Sequence, residues 1–169
     1  MYVAKATSRI NIRELTNTIR KLLGLYEERY FPIIEFLEFG LGYIFPDFSY
    51  EIVSPLDMKS DYGVTYPQTN KIKLREDVYE NAIAGSPRDR FTVAHEIGHL
   101  IMHRPGSIAL ARSQNAEIIP TYKDPEWQAN TFAAELLAPP HLIVGLSIKE
   151  IAISCGVSLE VARIQAQFT

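Results

Sequence analysis

A single cysteine, Cys155, is all that the 169 residues contain, so no intramolecular disulfide can form and no cysteine-rich metal site can be built. A reducing compartment, the cytoplasm, is therefore the expected home. No run approaches the ~20 apolar residues of a membrane span, and the opening MYVAKATSRI has no apolar stretch after its charges. Neither a membrane segment nor a signal peptide is expected. Positive charge is also scarce: 17 Lys and Arg face 20 Asp and Glu, a net charge of −3. That balance is the reverse of a nucleic-acid footprint, which needs clustered cations. Internal repeats and low-complexity tracts are absent from the sequence as well.

What remains is an ordinary globular composition, 47% hydrophobic and 22% charged, in a chain of one-domain length. Such a domain buries roughly 70% of its unfolded surface and folds without disulfides. Ile12, Leu15, Ile19, Leu22 and Leu23 recur at spacings of three and four, with Arg9, Arg13, Arg20 and Lys21 between them, which predicts an amphipathic helix stopped by Gly24. A second helix is expected from about Phe31 until Gly40, Gly42 and Pro46 break it. FSYEIVS at 48 to 54, then YGVTY and KIKL around Pro67-Gln68-Thr69-Asn70, predict a small antiparallel sheet with a hairpin.

Ser86-Pro87-Arg88-Asp89 supplies a cap, a proline at the first helical position and an acid three residues past the cap, so a helix should run to about His103. The polar stretch with Ser107 and Arg112 to Glu117 is expected to be loop with at most one short strand. Asp124-Pro125 repeats the capped start, and the helix it opens stops at Pro139-Pro140. Two short helices separated by Cys155-Gly156-Val157-Ser158 should close the chain.

Inside the first capped helix lies His95-Glu96-Ile97-Gly98-His99. Residues four apart sit about 40° apart around a helix, so both imidazoles project from one face and can reach one ion. Glu96 adjoins the first histidine, where it can act on water without occupying a coordination position, as a general base must. HExxH also arises by chance, but the apolar flanks Phe91, Val93, Ala94, Ile97, Leu100 and Ile101 bury this helix, and a buried His-Glu-His cluster needs partners.

A catalytic zinc takes three protein ligands and keeps one open position. Candidates for the third are His103, His141, Glu117, Asp124, Glu126 and Glu135. Glu126 opens a stripe, Ala129, Asn130, Ala133 and Leu137, whose small residues permit close approach to the histidine helix, whereas Glu135 is nine positions on, about 180° around the axis. Glu126 is favoured, although a first-turn carboxylate also complements a helix dipole. Asn130, one turn further, is placed to hydrogen-bond a ligand histidine.

FTVAHEIGHLIMH followed by DPEWQANTFAAELLAPP resembles the ImmA/IrrE family of metallopeptidases, which pair an HExxH helix with a downstream E-x-x-x-N/D helix leading into F-A-x-x-L-L-x-P. The likeness spans roughly residues 48 to 140, with Ala138 where the family often has methionine. It implies a gluzincin-like site with one zinc ion on His95, His99 and Glu126, and Glu96 as base. It further implies a protein substrate of the repressor or antitoxin type, cut to control transcription. Family members often carry a helix-turn-helix domain ahead of the peptidase, so a DNA-binding partner is expected to be a separate protein.

The expected architecture is α+β: a small antiparallel sheet packed on helices, a zincin-like HExxH helix and a C-terminal helical pair. One domain, 1–169, would comprise N-terminal helices (1–45), a catalytic core (46–140) and a helical appendage (141–169). His103, one turn beyond His99, could line the cleft or cap its helix, and Tyr66 or Tyr122 could stabilise an oxyanion. The tail IKEIAISCGVSLEVARIQAQF has a helix-turn-helix pattern, which raises DNA binding as an alternative. Residues 141 to 169 balance Lys149 and Arg163 against Glu150 and Glu160, so packing is the favoured role. A sensing or toxin-antitoxin component with an intact metal site but little turnover is a third possibility.

Overall fold

The computed structural model describes residues 3–104, 108–109 and 118–169. In chain order, β1 (Val3–Ala4) and α1 (Arg9–Leu22) precede α2 (Ile33–Glu35), which continues through a π-helical turn, Phe36–Gly40, into α3 (Leu41–Ile44). Next come β2 (Ser49–Val53), α4 (Pro55–Met58), β3 (Gly63–Tyr66), β4 (Lys71–Arg75), α5 (Glu76–Ile83) and α6 (Pro87–Met102). After β5 (Ile108–Ala109) follow α7 (Pro125–Leu137), α8 (Pro140–Ile143), α9 (Ile148–Cys155) and α10 (Leu159–Ala166). The class is α+β, a small sheet on helices. The polar stretch from Arg112 to Glu117, with the ligand candidate Glu117, lies outside the described residues, as does Ser107.

The sheet corrects one expectation, because it is mixed rather than antiparallel. β3 and β4 form the anticipated antiparallel hairpin, with Val64 opposite Lys73, but β2 pairs with β4 in parallel, Tyr50 opposite Ile72. The order is β2-β4-β3. A tight turn ending at Asn70, whose φ of 48° is one that asparagine tolerates, reverses the chain between β3 and β4. Residues 54 to 62 meanwhile carry the chain from β2 to the far side of β4, so the last strand inserts between the first two and runs alongside β2. Ile72 and Leu74 of this central strand are fully buried. Among the described residues β3 is an edge.

The first helix also differs from its periodic reading. Leu22 is exposed, while Arg20, assigned by pattern to the polar face, is fully buried. Its guanidinium donates to the carbonyls of Leu136 at 2.8 Å, Leu25 at 2.9 Å and Glu28 at 2.6 Å. The last carbonyls of a helix have no intrahelical donor, so this buried cation serves the Leu136 carbonyl in the last turn of α7 and ties it to the loop that follows α1. Burial lowers the Arg20 pKa to about 10, which leaves it charged at neutral pH. Arg90 plays the same part beneath α9, donating to the carbonyls of Gly156 and Phe31. Gly40 and Gly42 do not end the second helix either. The π turn passes through Gly40, where a Cβ would overlap Phe36 Cδ2, so the close ring approach is what requires glycine there.

α6 and α7 lie against each other at the centre of the core, Val93, Ala94, Ile97 and Leu100 on one side and Ala129, Phe132, Ala133 and Leu136 on the other, all with no exposed surface. Gly98 lets them approach: a Cβ there would be 3.0 Å from Phe132 Cδ1. α1 packs on the opposite side of α7, where buried Glu135 is bound by Arg9 and Arg13 at 2.9 Å each. The C-terminal pair is tied into the same body by Gln165, which donates to Ala138 O and accepts from Arg9. No helix among the described residues is long and apolar enough to cross a membrane.

Candidate metal centre

Both helices that carry the cluster begin as their caps dictate. Ser86 caps α6 with Pro87 in the first turn, and Asp124 caps α7 with Pro125 behind it, accepting from Glu126 N–H at 2.9 Å. These starts set the rotation of each helix about its axis. His95 and His99 consequently leave α6 toward the first turn of α7, where Glu126 stands.

The three side chains converge. His95 Nε2 and His99 Nε2 are 3.0 Å apart, and each lies 3.2 Å from an oxygen of Glu126. Among the described residues they form a group able to hold a metal ion. Donors about 2.0 to 2.1 Å from a tetrahedral zinc are spaced roughly 3.3 Å from one another, so the observed triangle fits such an ion. The hydrogen bonds behind the rings agree with that. His95 Nδ1 meets Asn130 Oδ1 at 2.8 Å, and with that oxygen accepting, the His95 Nε2 lone pair is directed into the cluster. Burial, together with the neighbouring His95 and His103, drives the His99 pKa down to about 3, so this ring is neutral over the working range. Nitrogen lone pairs and a carboxylate brought this close repel unless a cation or a proton lies among them.

Glu96 lines the same cleft, which has a volume of about 400 Å³ and is also bordered by Gly63, Val64, Thr65, Pro67, His103 and Pro125. Its carboxylate is nearly buried, and Thr65 Oγ1 donates to it at 2.5 Å. Burial pushes the Glu96 carboxyl above the usual range, while the Thr65 hydrogen bond and His95 pull in the other direction. Gly63 admits the acid, since a Cβ there would fall 2.7 Å from Glu96 Cγ. Nothing local in the sequence marks Thr65 or Gly63, because the strand that carries them lies some thirty positions upstream and meets α6 only through the fold.

The other candidates are placed elsewhere. Glu135 faces α1, Asp124 serves as a cap, and His141 stacks on Tyr26 and contacts its carbonyl. His103 is the exception: it is the C-cap of α6 and also borders the cleft, buried between His99 and Gln128. The rings of Tyr66 and Tyr122 are partly exposed, and neither is among the described residues lining the cleft. The family model for the IrrE N-terminal-like domain, peptidase M78, matches residues 50–165. The chain belongs to this peptidase family. The match takes in the three-stranded sheet apart from Ser49, α6, α7 and nearly all of the C-terminal pair, so the M78 region extends past residue 140, where the sequence likeness stops. No curated protein matches the chain. The M78 family is one of metal-dependent peptidases, and the His-His-Glu group is where this member can hold the metal.

Proposed function

We propose that this M78 peptidase is a zinc-dependent endopeptidase whose ion is held by His95, His99 and Glu126, with Glu96 as general base. The observation that carries this reading is the convergence of two imidazole nitrogens and a carboxylate within 3.2 Å, beside a second acid anchored in the same cleft. When bound, zinc supplies Lewis acidity toward the scissile carbonyl and toward water. Asn130 and His103 orient the two rings. Glu96, more basic than an exposed carboxylate because it is buried, takes a proton from the attacking water and delivers it to the leaving amine. Thr65 holds that carboxylate in place.

The substrate is an extended stretch of a regulatory protein, of the repressor or antitoxin type, lying along β3. Two features favour an extended chain: β3 offers an unpaired edge among the described residues, and a further cleft lined by Ser60, Tyr62, Phe91, Thr92 and Asn130 continues from the metal cluster. The setting is cytoplasmic, in keeping with a lone buried cysteine. DNA is not a direct partner. α10 spends Ala162 and Gln165 on packing, and Arg163 is its only cation.

Glu96→Gln tests the reading, because it removes the base and no ligand. Full zinc occupancy with loss of cleavage of a candidate repressor is expected, on the order of the 10²- to 10⁴-fold that a positioned base contributes. Undiminished cleavage by Glu96→Gln would refute it.

A further inference from the structure

We infer that His103 and Gln128 are positioning residues that determine which nitrogen of His99 is left bare for the metal. This rests on the zinc site proposed for His95, His99 and Glu126, and a hydrogen-bonded chain leads to that site from Gln128. The Gln128 side chain is buried, and its Nε2 donates to two backbone carbonyls, Lys5 O at 2.9 Å and Tyr122 O at 2.8 Å. Rotating the amide would set its oxygen against both carbonyl oxygens, so the orientation is forced. Its Oε1 therefore faces His103 Nε2, 2.9 Å away, as an acceptor.

An acceptor at that point requires a hydrogen on His103 Nε2. In a neutral ring Nδ1 is then a lone pair, and it lies 2.8 Å from His99 Nδ1, which must supply the hydrogen between them. With its hydrogen on Nδ1, His99 presents a bare Nε2 to His95 and Glu126. If His103 carried both hydrogens, His99 would have to give up the one on Nδ1 and carry its own on Nε2, inside the cluster, where it would exclude an ion. Two backbone carbonyls, one in the segment after β1 and one just ahead of α7, thus set the tautomer of a ring two steps away.

The two histidine ligands differ in how firmly they are set. Asn130, behind His95, is exposed, and its contact at Oδ1 does not by itself prevent the amide from turning. Gln128 uses both of its N–H groups and its oxygen in the buried interior, so the arrangement on the His99 side is the rigid one. In the sequence the two residues are the histidine one turn past HExxH and the glutamine two residues past Glu126.

The direct test is nitrogen-15 correlation spectroscopy of the histidine rings in the full chain at pH 8, with and without zinc. His103 should carry its hydrogen on Nε2 in both states, because Gln128 sets it, and zinc-loaded His99 should carry its own on Nδ1. A hydrogen on His103 Nδ1 would overturn the inference. Competition with a chromophoric chelator supplies a second readout. His103→Leu should weaken zinc binding 10- to 100-fold, as loss of a ligand's hydrogen-bond partner typically does. His103→Asn, whose Oδ1 can stand where Nδ1 was, should restore most of that loss, and Gln128→Leu should weaken binding severalfold. Equal zinc affinity across the wild type and these variants, or equal loss in His103→Leu and His103→Asn, contradicts it. Failure of the zinc assignment itself would appear differently, as a wild-type chain that takes up no stoichiometric zinc while His103 keeps its tautomer.

Discussion

Thr65 Oγ1 lies 2.5 Å from Glu96 Oε2 and 3.0 Å from the carbonyl oxygen of the same residue, tying the edge strand β3 to the HExxH helix at the acid itself. The hydroxyl opposes the upward pull of burial on the Glu96 carboxyl. Thr65→Val removes that opposition, so Glu96 holds its proton to higher pH and the acid limb of the rate profile moves up. Cleavage near neutral pH should fall on the order of 10-fold, part of the contribution of a positioned base. Zinc affinity should not change, and Thr65→Ser should recover activity. A pH-rate profile for the three proteins checks this.

The contact between α6 and α7 leads to a second expectation. A methyl group at Gly98 meets Phe132 Cδ1 at 3.0 Å and Cβ at 3.2 Å, both on fixed core atoms. Gly98→Ala should therefore push Phe132 back by a few tenths of an ångström and cost about 1 kcal/mol net, overpacking of about 1–3 kcal/mol offset by alanine's better helix propensity of about 1 kcal/mol. Because α6 carries both histidines and α7 carries Glu126, weaker zinc binding should accompany the loss. Thermal unfolding and zinc competition on the same preparation measure both effects, and an unchanged melting temperature would contradict the packing argument.

DNA binding is the expectation most open to a quick negative. The chain carries net charge −3 and Arg163 is the lone cation of α10, so at physiological salt no sequence-selective complex should form, and any weak association should vanish as salt rises. A gel-shift titration at two salt concentrations decides. A tight shift lost on Arg163→Ala and indifferent to Glu96→Gln would assign the C-terminal pair to DNA recognition.

Much of the site is legible in the sequence because local rules set it. HExxH inside a capped helix puts two rings on one face, and a second cap with an alanine stripe brings Glu126 and Asn130 to meet them. What escapes is non-local. The sheet looked antiparallel since a hairpin announces its own direction, whereas the parallel pairing of β2 with β4 depends on where residues 54 to 62 cross. Arg20 looked like a surface cation since periodicity counts charge as polar, whereas the fold needs donors for the carbonyls of Leu25, Glu28 and Leu136. The orientation of Gln128 is hidden for the same reason: its amide is set by the backbone carbonyls of Lys5 and Tyr122, and backbone partners leave no trace in residue type.

The zinc assignment turns on two carboxylates of one helix that face opposite ways. Glu126 reaches both histidines, while Glu135 is buried against Arg9 and Arg13. Removing Glu135 should cost about 3 kcal/mol of stability, the lower end for a broken buried pair because both arginines keep some access to water. The decisive measurement is an equilibrium zinc titration of chelator-stripped wild type, Glu126→Ala and Glu135→Ala, each under conditions where it is folded. The expected result is one tightly bound zinc per chain in the wild type and in Glu135→Ala, with affinity lost in Glu126→Ala. Equal zinc binding by all three proteins would contradict the assignment of Glu126 and with it the proposed centre.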